Sequence, residues 1–259
     1  MAYKYIDTHC HLQFEDYDKD REEEIQKMKE YETLGIVVGV DIASSKQAIK
    51  LAEENEHLFA CVGVHPTYEE PNLDELENLV KHEKVVAIGE CGMDFFRDKK
   101  EDVYEKQKKL FDYQIDLAIK YNKPLVIHAR SAYKELFEIL SERKKEAGDK
   151  LMVNMHFFGG NMDDAKNFID LGFMLSFSGV ITFARDYDEV VRFAPITHLL
   201  TETDSPYATP IPFRGKRNNP RFVSEVVTAI TKIREDNFDD IQQVVFENAC
   251  RFFKLNNKF

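Results

Sequence analysis

Eight short segments rich in Val, Ile, Leu and Phe recur along the chain, with longer charged stretches between them, and this alternation limits the fold more than any other feature. The candidate strands are Tyr5–His11, Ile36–Asp41, Phe59–His65, Val85–Cys91, Leu125–His128, Leu151–Phe157, Phe173–Ser178 and His198–Thr203. Their apolar–polar alternation is only partial, which predicts strands covered on both faces, as in a parallel sheet. The stretches between them have helical periodicity. In Val103–Tyr121 the residues Val103, Leu110, Phe111, Leu117, Ala118 and Tyr121 share one face, and the final stretch repeats the pattern with Ile241, Val244, Val245, Ala249, Phe252 and Phe253. Strand–helix alternation predicts parallel βαβ units. Eight such units in 259 residues predict one α/β domain spanning 1–259, a (β/α)8 TIM barrel and not an open doubly wound sheet. No GxGxxG or Walker-type glycine loop follows a strand, so the usual nucleotide-binding sheets lose support. The longest irregular stretch, Ser205–Arg221, follows the eighth strand and is expected to overhang the barrel mouth.

Placed on this strand map, the ligand-type side chains gather at strand ends. His9 and His11 end the first strand, His65 the third, Glu90 the fourth, His128 the fifth and His156 the sixth, with Asp204 after the eighth. Barrel enzymes draw their sites from those ends. Residues two apart on a strand share a face roughly 6.5 Å apart, so both imidazoles of His9-Cys10-His11 can reach one ion just beyond the strand. Glu90 follows Val85-Val86-Ala87-Ile88-Gly89, where a carboxylate needs compensation. A salt bridge to Arg97 or Arg130 would supply it; a bridging position between two cations fits the central strand better. Taken singly, His128 and His156 suit hydrogen-bonded core histidines as well as ligands; together they would complete a second metal's shell. Asp204 fits an N-cap, or a ligand that also accepts a proton from water. Glu202 lies one pleat deeper and reads as a supporting group, while His57, His82 and His198 read as structural or surface residues.

Composition narrows the partners. With 35 basic and 47 acidic residues the net charge is −12, which argues against coating duplex DNA nonspecifically. Divalent metals and a few basic residues at a cleft can still reverse the sign locally. No apolar run reaches membrane-spanning length and the N-terminus lacks a secretory pattern, so a cytoplasmic protein without membrane or obligate protein partners is expected. Cys10, Cys61, Cys91 and Cys250 form no CxxC pair. Cys10 and Cys91 alternate with the ligand-type residues and are expected to face the outer helices.

These motifs make the chain resemble the TatD family of metal-dependent deoxyribonucleases, within the amidohydrolase-like barrels. The resemblance runs from Asp7-Thr8-His9-Cys10-His11-Leu12 through Gly63-Val64-His65-Pro66, Gly89-Glu90-Cys91-Gly92-Met93-Asp94 and Val126-Ile127-His128-Ala129-Arg130. It continues through Thr203-Asp204-Ser205-Pro206 and Arg214-Gly215-Lys216-Arg217-Asn218 to Glu247-Asn248-Ala249-Cys250-Arg251-Phe252-Phe253. It implies that His9, His11, Glu90, His128, His156 and Asp204 bind two divalent metal cations, with Glu90 between them. The chain departs from the family pattern at His156-Phe157-Phe158-Gly159-Gly160, where His-Cys-Phe-Ser-Gly is common, and at Met93 and Phe95, changes that bear on substrate fit more than on the metal.

The expected reaction is hydrolysis of DNA phosphodiester bonds, exonuclease-like, on a single-stranded or end-bound substrate. Two cations roughly 3.5–4 Å apart would activate water and neutralise phosphate charge. In this reading Asp204 and Glu90 serve the chemistry directly, and His65 contacts phosphate or protonates the leaving oxygen, unless it is only a turn histidine before Pro66. Arg130, Arg214 and Arg217 are the candidate substrate-binding cations. Phe95, Phe96, Phe157 and Tyr207 could stack bases, with at least half of them expected to serve packing instead. The mixed ligand shell suits zinc, manganese, nickel or iron; magnesium fits a histidine-rich site less naturally but can support activity. The alternatives are an amidohydrolase or lactonase acting on a small molecule, and a scaffold with a vestigial site.

Overall fold

The computed structural model describes residues 3–69 and 71–255. Eight parallel strands neighbour one another in chain order: β1 (Tyr5–Cys10), β2 (Thr33–Val38), β3 (Leu58–Val62), β4 (Val85–Asp94), β5 (Leu125–Arg130), β6 (Val153–Met155), β7 (Met174–Phe177) and β8 (Leu199–Thr201). The crossovers contain α1 (Arg21–Glu30), α2 (Ile42–Glu54), α3 (Leu73–Val80), α4 (Lys100–Tyr121), α5 (Tyr133–Ala147), α6 (Met162–Asp170) and α7 (Asp188–Phe193). After β8 come α8 (Val223–Arg234) and α9 (Phe238–Phe252). This is the expected (β/α)8 barrel. Among the described residues, no helix is long and apolar enough to cross a membrane.

Strand alternation sorts the core into two layers. Leu34, Ile36 and Val38 turn inward with Ile6, Phe59, Cys61, Val126 and Leu200, while Val37, Leu58, Ala60 and Leu199 meet the outer helices. The interior cluster also takes in Ala249, Phe252 and Phe253, so α9 stoppers the floor of the barrel. Asn248 fixes it there, donating to Ile196 O at 2.7 Å and Leu199 O at 3.0 Å. Cys10 and Cys91 are buried in the strand–helix layer, as their alternation with the ligand-type residues predicts.

The ring closes between β1 and β8. Asp204 N donates to His9 O and His11 N donates to Ser205 O. Side chains tighten this seam: Thr8 Oγ1 donates to Thr201 O at 3.0 Å, and Thr203 donates both its N–H and its hydroxyl to the buried Asp7 carboxylate.

Most strand bounds differ from the sequence reading by one to three residues, His65 for example lying past the end of β3, and two of the differences have clear local reasons. β2 stops at Val38, not Asp41, because Asp41 caps α2: its carboxylate accepts from Ser44 N at 2.7 Å. β4 runs beyond Cys91 to Asp94, because Gly92, Met93 and Asp94 keep pairing with His128, Ala129 and Arg130. Gly92 permits this approach, for at its φ of 132° an added Cβ would lie 2.2 Å from His128 O. Gly89 does the same directly before Glu90, where a Cβ would meet Val126 O at 2.4 Å.

Candidate metal centre

All seven ligand-type residues named above lie at one mouth, the C-terminal ends of the strands. His9 is in β1 and His11 just past it, His65 follows β3, and Glu90 and His128 are inside β4 and β5. His156 directly follows β6, and Asp204 follows β8. Glu90 is the hub, only 5% exposed. Its Oε2 lies 3.4 Å from His9 Nε2 and 3.9 Å from His11 Nε2. Its Oε1 lies 2.9 Å from His128 Nδ1, 3.4 Å from His156 Nε2 and 3.6 Å from His65 Nε2. Asp204 Oδ1 joins the first side, 3.5 Å from His11 Nε2 and 3.9 Å from His9 Nε2. Ligand atoms of His9, His11 and Glu90 are thus close enough to share an ion, as are those of His65, Glu90 and His128. Arg130, one candidate partner for Glu90, instead stacks its guanidinium 3.7 Å above the Phe96 ring.

Hydrogen bonding fixes which nitrogens can serve as ligands. His11 Nδ1 sits 2.8 Å from Val38 O, a pure acceptor, so it carries the proton and leaves the Nε2 lone pair facing His9 Nε2 at 3.2 Å. His156 Nδ1 donates to Glu202 Oε1 at 3.0 Å, which turns its Nε2 toward the Glu90 carboxylate. Lone pairs and carboxylate oxygens converging in a buried place repel one another, and a cation relieves that repulsion. The donor set therefore fits metal ions, with chemistry borderline enough for several transition metals. His65 differs. Its Nδ1 accepts from Thr67 N at 3.3 Å, so its Nε2 carries the proton and points an N–H toward Glu90.

Electrostatics divide these imidazoles. Burial, aided by His156, brings His9 down to about 3, so this imidazole is neutral, as a ligand must be. Burial also brings His65 down to about 4 against the pull of Glu90. For Glu90 burial alone would raise the carboxyl, but His156 and His65 across from it, with hydrogen bonds from His128 and His156, hold it well below the usual range. Burial would depress His156; the carboxylates Glu202 and Glu90 outweigh it and hold the ring well above the usual range, so the ion-free ring keeps a proton on Nε2 that a bound cation would displace.

Two further carboxylates complete the arrangement. Glu202, read as supporting, is buried and takes His156 Nδ1, Phe157 N and the Ser176 hydroxyl. Asp94 has no role in the sequence reading, yet its Oδ2 lies 3.0 Å from His128 Nε2. The only signal for it was its place in the stretch that carries Glu90.

Above the centre opens a cavity of 1090 Å³, reached by Arg97, Arg130, Tyr68, Phe157 and Tyr207. Phe96 and Tyr207 are 60% and 54% exposed, whereas Phe95 packs on the core and Phe157 lies against the His156 ring. The three candidate arginines separate. Arg130 lines the cavity, and Arg214 stacks on Phe183 at 3.8 Å. Arg217 does not take the expected substrate-facing place: it binds Asp20 with both Nη atoms, at 2.8 and 2.7 Å, and lies over the Tyr17 ring. A bidentate carboxylate at the start of α1 outcompetes solvent for that guanidinium. Arg217→Ala is accordingly expected to cost about 1–2 kcal/mol of stability, seen as a melting temperature lower by a few degrees, with KM unchanged. Arg130→Ala should do the reverse, raising KM with little effect on melting; equal KM effects would return Arg217 to the substrate path.

Along 259 aligned residues the chain is 41% identical to the uncharacterized metal-dependent hydrolase YabD of Bacillus subtilis, covering 97% of this chain and 99% of that one. To the uncharacterized metal-dependent hydrolase YcfH of Escherichia coli K12 it is 31% identical, covering 97% and 96%. The barrel and its histidine–carboxylate mouth are those of a metal-dependent hydrolase. The crystal structure of YjjV, a TatD homologue from Escherichia coli K12, superposes with a TM-score of 0.89 at 29% identity, covering 98% of this chain and 99% of that one. The chain belongs to the TatD family, whose model, described as TatD related DNase, matches residues 6–254.

Proposed function

We propose that this hydrolase is a deoxyribonuclease that cleaves phosphodiester bonds of single-stranded or end-bound DNA, with divalent cations that His9, His11, Glu90, His128, His156 and Asp204 would hold. The observation that carries this reading is the division of Glu90: one oxygen faces His9 and His11, the other His128 and His156, beneath a mouth rimmed by arginines and exposed rings. Asp204 would complete the first ligand group. When bound, the cations supply Lewis-acid charge toward phosphate and lower the pKa of the attacking water. Asp204, which lines the cavity, accepts the proton of that water. His65 presents its N–H to a phosphate oxygen or to the leaving oxygen, and Arg130 orients the phosphate. Tyr68, Tyr207 and Phe96 offer exposed faces to unpaired bases.

The test is digestion of an end-labelled single-stranded DNA oligonucleotide by purified protein with EDTA, with added Mn2+ and with added Mg2+. Stepwise shortening that EDTA stops and either cation restores is the expected result. Protein that holds metal but leaves DNA intact, while opening a small amide or lactone, would replace this reading with the small-molecule one.

A further inference from the structure

Asp94 lies at the end of β4, only 7% exposed, and its two carboxylate oxygens do different work. Oδ2 takes His128 Nε2 at 3.0 Å, and Oδ1 accepts the backbone N–H of Phe96 at 2.8 Å. Gln107 of α4 pins the Asp94 backbone: Asp94 N donates to Gln107 Oε1, and Gln107 Nε2 donates to Asp94 O, each at 2.9 Å. Phe96 in turn carries the Arg130 guanidinium on its ring. One fixed carboxylate thus connects a metal-facing histidine to the aromatic and the cation at the rim.

We propose that Asp94 is a positioning residue that locks His128 with Nδ1 toward Glu90 and, through Phe96, holds the Arg130 arm of the rim in register with the metal centre. The rim half of this rests on the nuclease reading; the metal half does not. Glu202 provides an internal contrast. It takes His156 Nδ1 at 3.0 Å and Phe157 N at 2.8 Å on the same oxygen, Oε1, while Oε2 takes the Ser176 hydroxyl. An amide has one oxygen. Glu202→Gln can keep both N–H contacts on it and turn its NH2 group to Ser176. Asp94→Asn has no such solution, because its donors use different oxygens and the NH2 group must meet one of them. If the oxygen stays with Phe96, His128 must move its proton from Nε2 to Nδ1, where it occupies the ligand position.

The experiment compares wild type, Asp94→Asn, Asp94→Glu, Glu202→Gln and Phe96→Ala, each checked for folding by circular dichroism. Zinc affinity is read by chelator competition, and hydrogen exchange is read on the peptide containing the Phe96 amide. Asp94→Asn should bind zinc about 10–100-fold more weakly, or lose protection at Phe96, or both. Glu202→Gln should lose less affinity, and Asp94→Glu, which retains two oxygens, should recover part of the loss and stands in if the asparagine variant does not fold. Phe96→Ala keeps its amide and should bind zinc as wild type does while KM for the oligonucleotide rises. Wild-type zinc affinity together with wild-type exchange in Asp94→Asn would overturn the proposal, as would a greater zinc loss in Glu202→Gln. Both readouts decide it even if DNA is not the substrate.

Discussion

Glu90→Ala is expected to abolish metal-dependent DNA shortening, a fall of about a thousandfold or more. Charge stabilisation by bound metal contributes several kcal/mol to such a reaction, at about 1.4 kcal/mol per factor of ten. Glu90 is the residue whose loss touches both ligand groups, since Oε2 faces His9 and His11 while Oε1 faces His128 and His156. A thermal measurement separates this from misfolding. Ligand at a hundred times its Kd stabilises the native state by about 2.7 kcal/mol, which for a chain of this size corresponds to about 5–10 °C. Wild type should show that rise with added Mn2+ or Zn2+, and Glu90→Ala should not. Equal cleavage by wild type and variant purified identically would mean that the activity belongs to a contaminant.

Asp204→Asn should separate binding from chemistry. Asp204 has a left-handed backbone, with φ of 53°, that asparagine tolerates well. Its backbone contacts also survive the change, since Asp204 N donates to His9 O and Asp204 O accepts from Tyr207 N. The amide oxygen can still face His9 and His11, but the side chain no longer accepts a proton. The expected outcome is a kcat about 10²–10⁴-fold lower with metal content nearly intact, measured by steady-state kinetics beside elemental analysis. A variant that keeps both metal and rate would remove Asp204 from the proton path and leave it a ligand alone.

Much of the site is legible in the sequence because strand geometry is periodic. His9 and His11 read as a pair since alternate residues share a face, and an acid after five small or apolar residues, as at Glu90, demands compensation. What the sequence does not carry is which acceptor captures which donor across the fold. Arg217 reads as a substrate cation until Asp20 is found opposite it. Asp94 depends on β4 continuing past Cys91, and Gly92 and Asp94 interrupt the apolar run that would signal it. For β2 the error is the reverse: Val40 extends the apolar run, but Asp41 already belongs to the cap of α2. Local chemistry at strand ends overrides hydrophobic periodicity at both places.

The seam between the first and last strands has a kinetic consequence. Thr8 and Thr201, which bond across it, are 193 residues apart in sequence, so this junction carries the largest loop-closure cost in the barrel and belongs to the slow class of contacts. Glu90, His128 and His156 come from adjacent strands and can assemble in a half-made sheet, but His9, His11 and Asp204 meet only when the ring shuts. The donor set therefore ripens last. An unfinished chain carries no complete hydrolytic centre, and an ion that prefers the finished one acts as a buckle, drawing the folding equilibrium toward the shut ring.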